Sequence, residues 1–352
     1  MTPYKWHTNA WHDLFNDGGR FPHAVLLGGP EGLGKTAFGE ALVARLLCER
    51  TSGAPDGFAC GVCSSCRWIK SGNHPDYRLV QPEEADSSDG GELGSEAAVT
   101  DPGIRKSAQG QLRIDQIRAL EDFVFVGSHR QGNRVVLISQ AETMNPAAAN
   151  ALLKILEEPP ASVYFILISS YWRRLLPTLL SRCRTIILGY PDSTTAQSWL
   201  EGQGIKEASA LLDLAGGVPL KAVDWADKGR FDAYSTLIGI LASNISDPVA
   251  MAGQWGAWLK SGSGMPLWQL VETLQKWTID LGMLKIAGRC RYHRAWENKM
   301  IPLSSKASVS GILACYNYLL RIRAIARHPL NPQLFLEDMA ARYLRVLSSG
   351  KT

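Results

Sequence analysis

The sequence predicts an α/β domain built on a parallel sheet, followed by an all-helical remainder. Five short runs, Ala24–Leu27, Arg78–Val80, Val135–Ile138, Val163–Ile168 and Thr185–Leu188, are β-rich and nearly continuous in apolar character. Strands covered by helices on both faces read this way. Segments with helical spacing, Lys35–Cys48, Ile114–Val124 and Pro146–Glu158, lie between them, so strands and helices alternate. After Tyr190-Pro191 the strand signal stops. Residues 194 to 240 read as a small helical bundle broken at Ala215-Gly216-Gly217-Val218-Pro219. From 245 onward a second run of amphipathic helices carries Trp255, Trp258, Trp268 and Trp277 at core-facing spacing.

At 352 residues the chain is too long for one ordinary domain. Domains are expected at 1–189, 190–243 and 244–352. A hydrophobic content of 45% with 20% charged residues describes a soluble protein that buries real cores. No apolar run is long enough to cross a bilayer, and Lys5, His7, His12 and Asp13 interrupt any signal-peptide core in Met1–Leu14. No membrane is expected as a partner, and a cytoplasmic location is expected.

Residues Gln81 to Gln111 are rich in Gly, Ser, Asp and Glu and read as a surface loop. Seven acids between Glu83 and Asp101 stand without a Lys or Arg; setting them aside, the rest of the chain carries +11 against the overall +4. That surplus is compatible with nearby nucleic acid but does not argue for it alone.

Gly29-Pro30-Glu31-Gly32-Leu33-Gly34-Lys35-Thr36 fits G-x-x-x-x-G-K-[ST] in full, after an expected strand and before an expected helix. Glycines at Gly29, Gly32 and Gly34 let backbone N–H groups converge on phosphate oxygens, and the helix start adds favourable partial charge. Lys35 is placed to reach the outer phosphates of ATP and Thr36 to offer its hydroxyl to magnesium. Hydrolysis also requires acids at the end of a second strand. The run Val135–Ile138 is followed instead by Ser139-Gln140, with Glu142 two positions beyond. The site reads as one that binds nucleotide and turns it over poorly or not at all.

Cys60-x-x-Cys63-x-x-Cys66, with Cys48 upstream, reads as a closed four-thiolate site for structural zinc. An iron–sulfur cluster or a redox thiol pair are the competing readings; spacing and loop-like context favour zinc. His74 is read as a turn residue, and Cys290 and Cys315 as ordinary buried residues.

Two further stretches carry a resemblance. The segment Asn150 to Pro160, NALLKILEEPP, resembles one shared by clamp-loader subunits, and Ser181-Arg182-Cys183 resembles that family's SRC motif. The cysteines between phosphate loop and second strand are similar to those of bacterial clamp loaders, and Asn331–Glu337 is similar to the closing helix of their collar. The chain is thus identified as a member of the AAA+ clamp-loader family. Within that family Ser139 and Gln140 stand where the motor subunit has acids, Ile168-Ser169-Ser170 where it has threonines, and Leu220 where it has a sensing arginine. These departures resemble the delta-prime type of DNA polymerase III, although the better-known members have a degraded phosphate loop and this one is intact.

The resemblance implies a RecA-like AAA+ domain with a zinc module, a small helical lid and an all-α collar. It implies a five-subunit ring with motor and clamp-opening subunits that loads a sliding clamp on primed DNA for the polymerase holoenzyme. It also implies that Arg182 serves a neighbouring ATP site in trans. The rival readings are an active ATPase motor of replication or repair and a nucleotide-independent zinc scaffold.

Overall fold

The computed structural model describes residues 2–15, 21–50, 57–82, 110–125, 132–227, 230–243, 245–261, 265–327 and 331–348. Most of the acidic stretch between 81 and 111 lies outside them. Contacts divide the chain into two compact units, Met1–Tyr190 and Pro191–Thr352.

The first unit is organised by five parallel strands: β1 (Ala24–Gly28), β2 (Tyr77–Val80), β3 (Arg134–Ile138), β4 (Val163–Ser169) and β5 (Arg184–Ile187), in the order β2-β3-β4-β1-β5. Every residue of β1 and β3 is buried, which is why these runs lack alternation. Parallel pairing needs crossovers, and helices supply them. Helix α1 (Thr8–Phe15) precedes β1, and the crossovers carry α2 (Lys35–Leu47), α3 (Ser64–Lys70), α4 (Ile114–Phe125), α5 (Pro146–Glu157) and α6 (Pro177–Arg182). One core, including Val25, Leu27, Phe38, Leu42, Val135 and Ile166, lies on one side of the sheet. A second, with Leu26, Val136, Leu152, Ile155 and Phe165, lies on the other.

Register matters for function. Gly28 of β1 pairs in register with Ser169 of β4, and Ile138 of β3 with Leu167. The C-terminal ends of β1, β3 and β4 therefore share one edge, the place where open parallel sheets bind ligands.

The second unit is all helical among its described residues: α7 (Ser193–Gly202), α8 (Ala208–Leu214), α9 (Pro219–Asp227), α10 (Arg230–Leu241), α11 (Pro248–Lys260), α12 (Leu267–Ala287), α13 (Glu297–Lys306), α14 (Val309–Ile322) and α15 (Pro332–Ser348). A small core gathers Ala196, Leu200, Leu211 and Ala222. A larger one gathers Trp255, Trp258, Trp277, Leu319, Met339 and Tyr343, with Trp268 packed against it, so the four tryptophans are core residues. Helix α10 contributes Tyr234, Leu237, Ile238 and Leu241 to this larger core. Cys290 and Cys315 are buried, as read from sequence. Inside this unit Asp280 accepts the backbone N–H groups of Arg291, Tyr292 and His293. Burial holds the His293 pKa below its usual value despite Asp280. The neutral ring donates from Nδ1 to Asp280 and accepts at Nε2 from Tyr234, each at 2.8 Å. No described helix is long and apolar enough to cross a membrane.

Candidate nucleotide-binding edge and metal centre

The loop after β1 takes its shape from glycine. Gly29, Gly32 and Gly34 have φ of 145°, 84° and 90°, values side chains resist. At two of them space is also closed: an added Cβ would lie 2.4 Å from the Leu188 carbonyl oxygen at Gly29 and 2.5 Å from the Tyr4 ring at Gly34. Gly34 is the N-cap of α2, so the N–H groups of its first turn point into the loop. Lys35 is buried to 6% exposure and donates from Nζ to the Pro30 carbonyl at 2.7 Å. Thr36 is exposed. All five residues expected to hold nucleotide are thus gathered on one turn.

An N-terminal aromatic segment packs on that turn, and sequence reading missed it. Trp6 donates from its indole N–H to the Leu33 carbonyl at 3.2 Å and stacks on Tyr4, with ring centroids 4.6 Å apart. His7 is 2% exposed, edge-on to Phe38, and neither ring nitrogen has a hydrogen-bond partner. Burial, helped by the nearby Lys35 charge, lowers its pKa to about 4. His7 and Trp6 line a cavity of about 420 Å³ together with Asn9, Asp13 and the strand segment Arg184–Gly189. The available signal was the density of Tyr4, Trp6 and Trp11 just ahead of β1.

At the end of β3 the geometry is different. Ser139 donates its N–H to the Val80 carbonyl at 2.8 Å, continuing the ladder. Gln140 then turns left-handed at φ 51° and ψ 49°. Glu142 accepts the Ser170 N–H at 2.9 Å through Oε1, tying this turn to the end of β4, while Oε2 is buried without a partner. Ser169 is fully buried and its hydroxyl is also unpartnered. A carboxylate thus sits at the sheet edge, displaced from the usual position and committed to a backbone bond.

Arg182 closes α6. Its guanidinium donates to Glu157 at 2.6 Å and to the Thr178 carbonyl at 3.2 Å. Both ionic side chains are substantially exposed, at 34% and 50%. Such a pair contributes on the order of 0.2–1 kcal/mol, so exchanging Glu157 for another anion costs little.

Cys48, Cys60, Cys63 and Cys66 converge: their four sulfurs lie within 4.8 Å of one another, with Cys48 and Cys63 at 3.9 Å. Thiolates about 2.3 Å from one tetrahedral ion sit about 3.8 Å apart, so the spacing fits. Backbone N–H groups of Arg50 and Cys60 donate to the Cys48 sulfur, and those of Cys63 and Cys66 to Cys60 and Cys63. The Val62 and Cys63 N–H groups pull the Cys60 pKa down to about 6, while burial pushes Cys66 up to about 12. His74 stays out of the cluster. Its Nε2 bonds to Ser65 at 2.7 Å and its Nδ1 accepts the Asp76 N–H, which is the turn role expected.

With this geometry in place, comparison with known proteins is decisive. Residues 8–191 match the family model for "DNA polymerase III, delta subunit". The chain is 31% identical to the DNA polymerase III subunit delta' of Pseudomonas aeruginosa, over 99% of each chain. It belongs to the DNA polymerase III delta' family. The delta' subunit of Yersinia pestis is 34% identical over 72% of this chain and 71% of its own. That of Escherichia coli is 32% identical over 67% and 63%.

For a delta' chain the arrangement separates two capacities. A glycine-shaped loop at a helix start and a four-thiol cluster are assembled, whereas no acid directly follows the second strand. Sequence pattern located the loop and the cysteines, and resemblance pointed to Arg182. Neither located the Tyr4–His7 packing, the Glu142 bond to Ser170, or Glu157 as the arginine's partner, because each joins residues distant in sequence.

Proposed function

We propose that the chain is a clamp-loader subunit of the replicative polymerase holoenzyme, assisting ATP-driven opening of the sliding clamp and its loading on primed DNA. The end-to-end match to subunits named delta' carries this reading. The partners are the motor and clamp-opening subunits of a five-membered ring, with primed DNA engaged through the complex. The helices from 190 to 243 serve as a lid and those from 244 to 352 as the collar that joins subunits, with α10 packed into the collar's core.

Arg182 is the chemical contribution. Released from Glu157, it reaches a neighbouring subunit's ATP and offsets charge on the transferring phosphoryl group. The weakness of the exposed ion pair supports this role. The chain's own loop binds ATP: Lys35 exchanges the Pro30 carbonyl for phosphate, Thr36 faces magnesium, and the adjacent cavity has room for the base. Ser139 and Gln140 offer neither a magnesium carboxylate nor a general base, so the isolated chain does not hydrolyse ATP efficiently. Zinc is the metal proposed for Cys48, Cys60, Cys63 and Cys66, where a closed thiolate set gives structural support.

Reconstitution with motor subunits, clamp-opening subunit, clamp and primed DNA tests the assignment. Clamp loading should require this chain, and the isolated chain should show no steady-state ATPase. Robust turnover by the chain alone would favour an autonomous motor. Loading that proceeds equally without the chain would leave a zinc scaffold.

A further inference from the structure

The segment from Pro159 through Pro191 contains no Asp or Glu but four arginines, Arg173, Arg174, Arg182 and Arg184. Arg182 is paired with Glu157. Arg173 and Arg174 lie in a tight turn directly after β4, both exposed. Neither makes a carboxylate ion pair with a described residue. Each guanidinium instead lies over an aromatic face: Arg173 at 4.9 Å from the Trp172 ring centre, and Arg174 at 4.6 Å from that of Tyr171.

The turn is held in place. The Trp172 ring packs so closely on the end of β1 that a Cβ added at Gly28 would meet it at 2.8 Å. The Arg174 N–H bonds the Tyr171 carbonyl at 2.8 Å, and that of Leu175 bonds the Trp172 carbonyl at 3.1 Å. Glu142 anchors the Ser170 N–H and keeps its second oxygen buried. It fixes the backbone and leaves the guanidinium edges to solvent. Tyr171 remains 56% exposed despite its size.

We propose that Tyr171, Arg173 and Arg174 form a contact site for single-stranded nucleic acid. A guanidinium stacked on a ring keeps its N–H edge free for phosphate, so one turn offers two phosphate donors. Its exposed ring offers a stacking face of the kind that sequence-tolerant single-strand binders use. Bases in a duplex hide their faces, which selects the single strand. The site stands independently of the clamp-loading role, since it uses neither the phosphate loop nor Arg182.

The test uses the full chain alone and fluorescein-labelled oligo(dT) of about 20 nucleotides, long enough for one binding groove. Anisotropy is read at low salt and across a salt series. Wild-type chain should bind, and the double variant Arg173→Ala with Arg174→Ala should bind about tenfold or more weakly. Its log–log salt slope should flatten by about 1.4, two phosphates at about 0.7 each. Tyr171→Ala should weaken binding about tenfold, whereas Tyr171→Phe should bind as wild type, because stacking needs the ring and not the hydroxyl. Circular-dichroism melts check folding, and Arg173→Gln with Arg174→Gln replaces the alanine pair if its midpoint moves. Absence of wild-type binding, unchanged binding by the arginine variants, or equal affinity for a blunt duplex would overturn the proposal. So would displacement by polyglutamate as effective as by unlabelled oligo(dT), which would make the turn an acidic-protein site. Because no other loader subunit is present, failure here leaves the clamp-loader reading untouched.

Discussion

The phosphate loop and the end of β3 lie on the same edge of one sheet yet have met opposite fates. The loop has three positive-φ glycines, a helix that starts at a glycine with no side-chain cap, and a buried lysine. The end of β3 has a serine, a strained glutamine and a glutamate tied to a neighbouring strand. The geometry for holding a phosphate and the carboxylates for hydrolysis are therefore physically separable. Binding relies on backbone geometry that a few glycines fix, whereas hydrolysis relies on side-chain carboxylates that single substitutions remove.

The strongest way to sharpen that contrast is Arg182→Ala. In the reconstituted loader it should slow single-turnover hydrolysis at the site it serves by about 10³-fold, the lower end for an arginine supplied in trans. Binding of MgATP to the chain itself should not change. Equal turnover by variant and wild type would remove Arg182 from the chemistry.

Next in size is Lys35→Ala. Isothermal calorimetry of the isolated chain should show MgATP affinity falling about 100-fold, roughly 2.7 kcal/mol. A chain that gives no heat with MgATP even as wild type would break the comparison at its binding half.

Metal removal comes third. Elemental analysis should find close to one zinc per chain, and chelation should lower the melting midpoint of the first unit, since metal binding to a folded site is folding free energy. Iron with acid-labile sulfide would replace zinc by a cluster.

The loop side should also carry a pH signature. The His7 pKa is held near 4 against an unfolded value near 6.5, so the unfolded chain binds the extra proton between them. Stability should be fully present above about pH 6.5, fall as pH drops toward 4, and level off below, a change of a few kcal/mol at most. His7→Leu, which breaks no hydrogen bond, should flatten that slope in urea titrations. An unchanged slope would assign the dependence elsewhere.

The smallest effect tests the other half. Gln140→Gly relieves the left-handed backbone at φ 51° and should stabilise the chain by about 0.5–1 kcal/mol without creating hydrolysis. A loss of stability would mean that the Gln140 side chain does more than tolerate the turn.

Much of this was legible in the linear pattern. The five strands fell within one residue of their expected positions, because continuous apolar runs allow little latitude in a doubly covered sheet. The run Thr185–Leu188 is shifted by one to Arg184–Ile187, as edge strands bury less and constrain register less. The loop and the cysteines were readable because motif and ligand spacing are local. The trans role proposed for Arg182 came from resemblance, and its Glu157 partner from neither source.

The sequence by itself determined the α/β unit, the helical remainder, the intact phosphate loop, the missing acids and the four-cysteine set, all written in short-range spacing. Tertiary structure alone decided what those pieces face. It set Tyr4 against Gly34, left His7 and Glu142 with unpartnered buried atoms, paired Arg182 with Glu157, and exposed two arginines over aromatic rings. The reason is that hydrogen bonding and desolvation depend on which groups meet across the sheet edge. The arginines and their rings are neighbours in the chain, but the other meetings join residues tens of positions or more apart, and no local pattern encodes them.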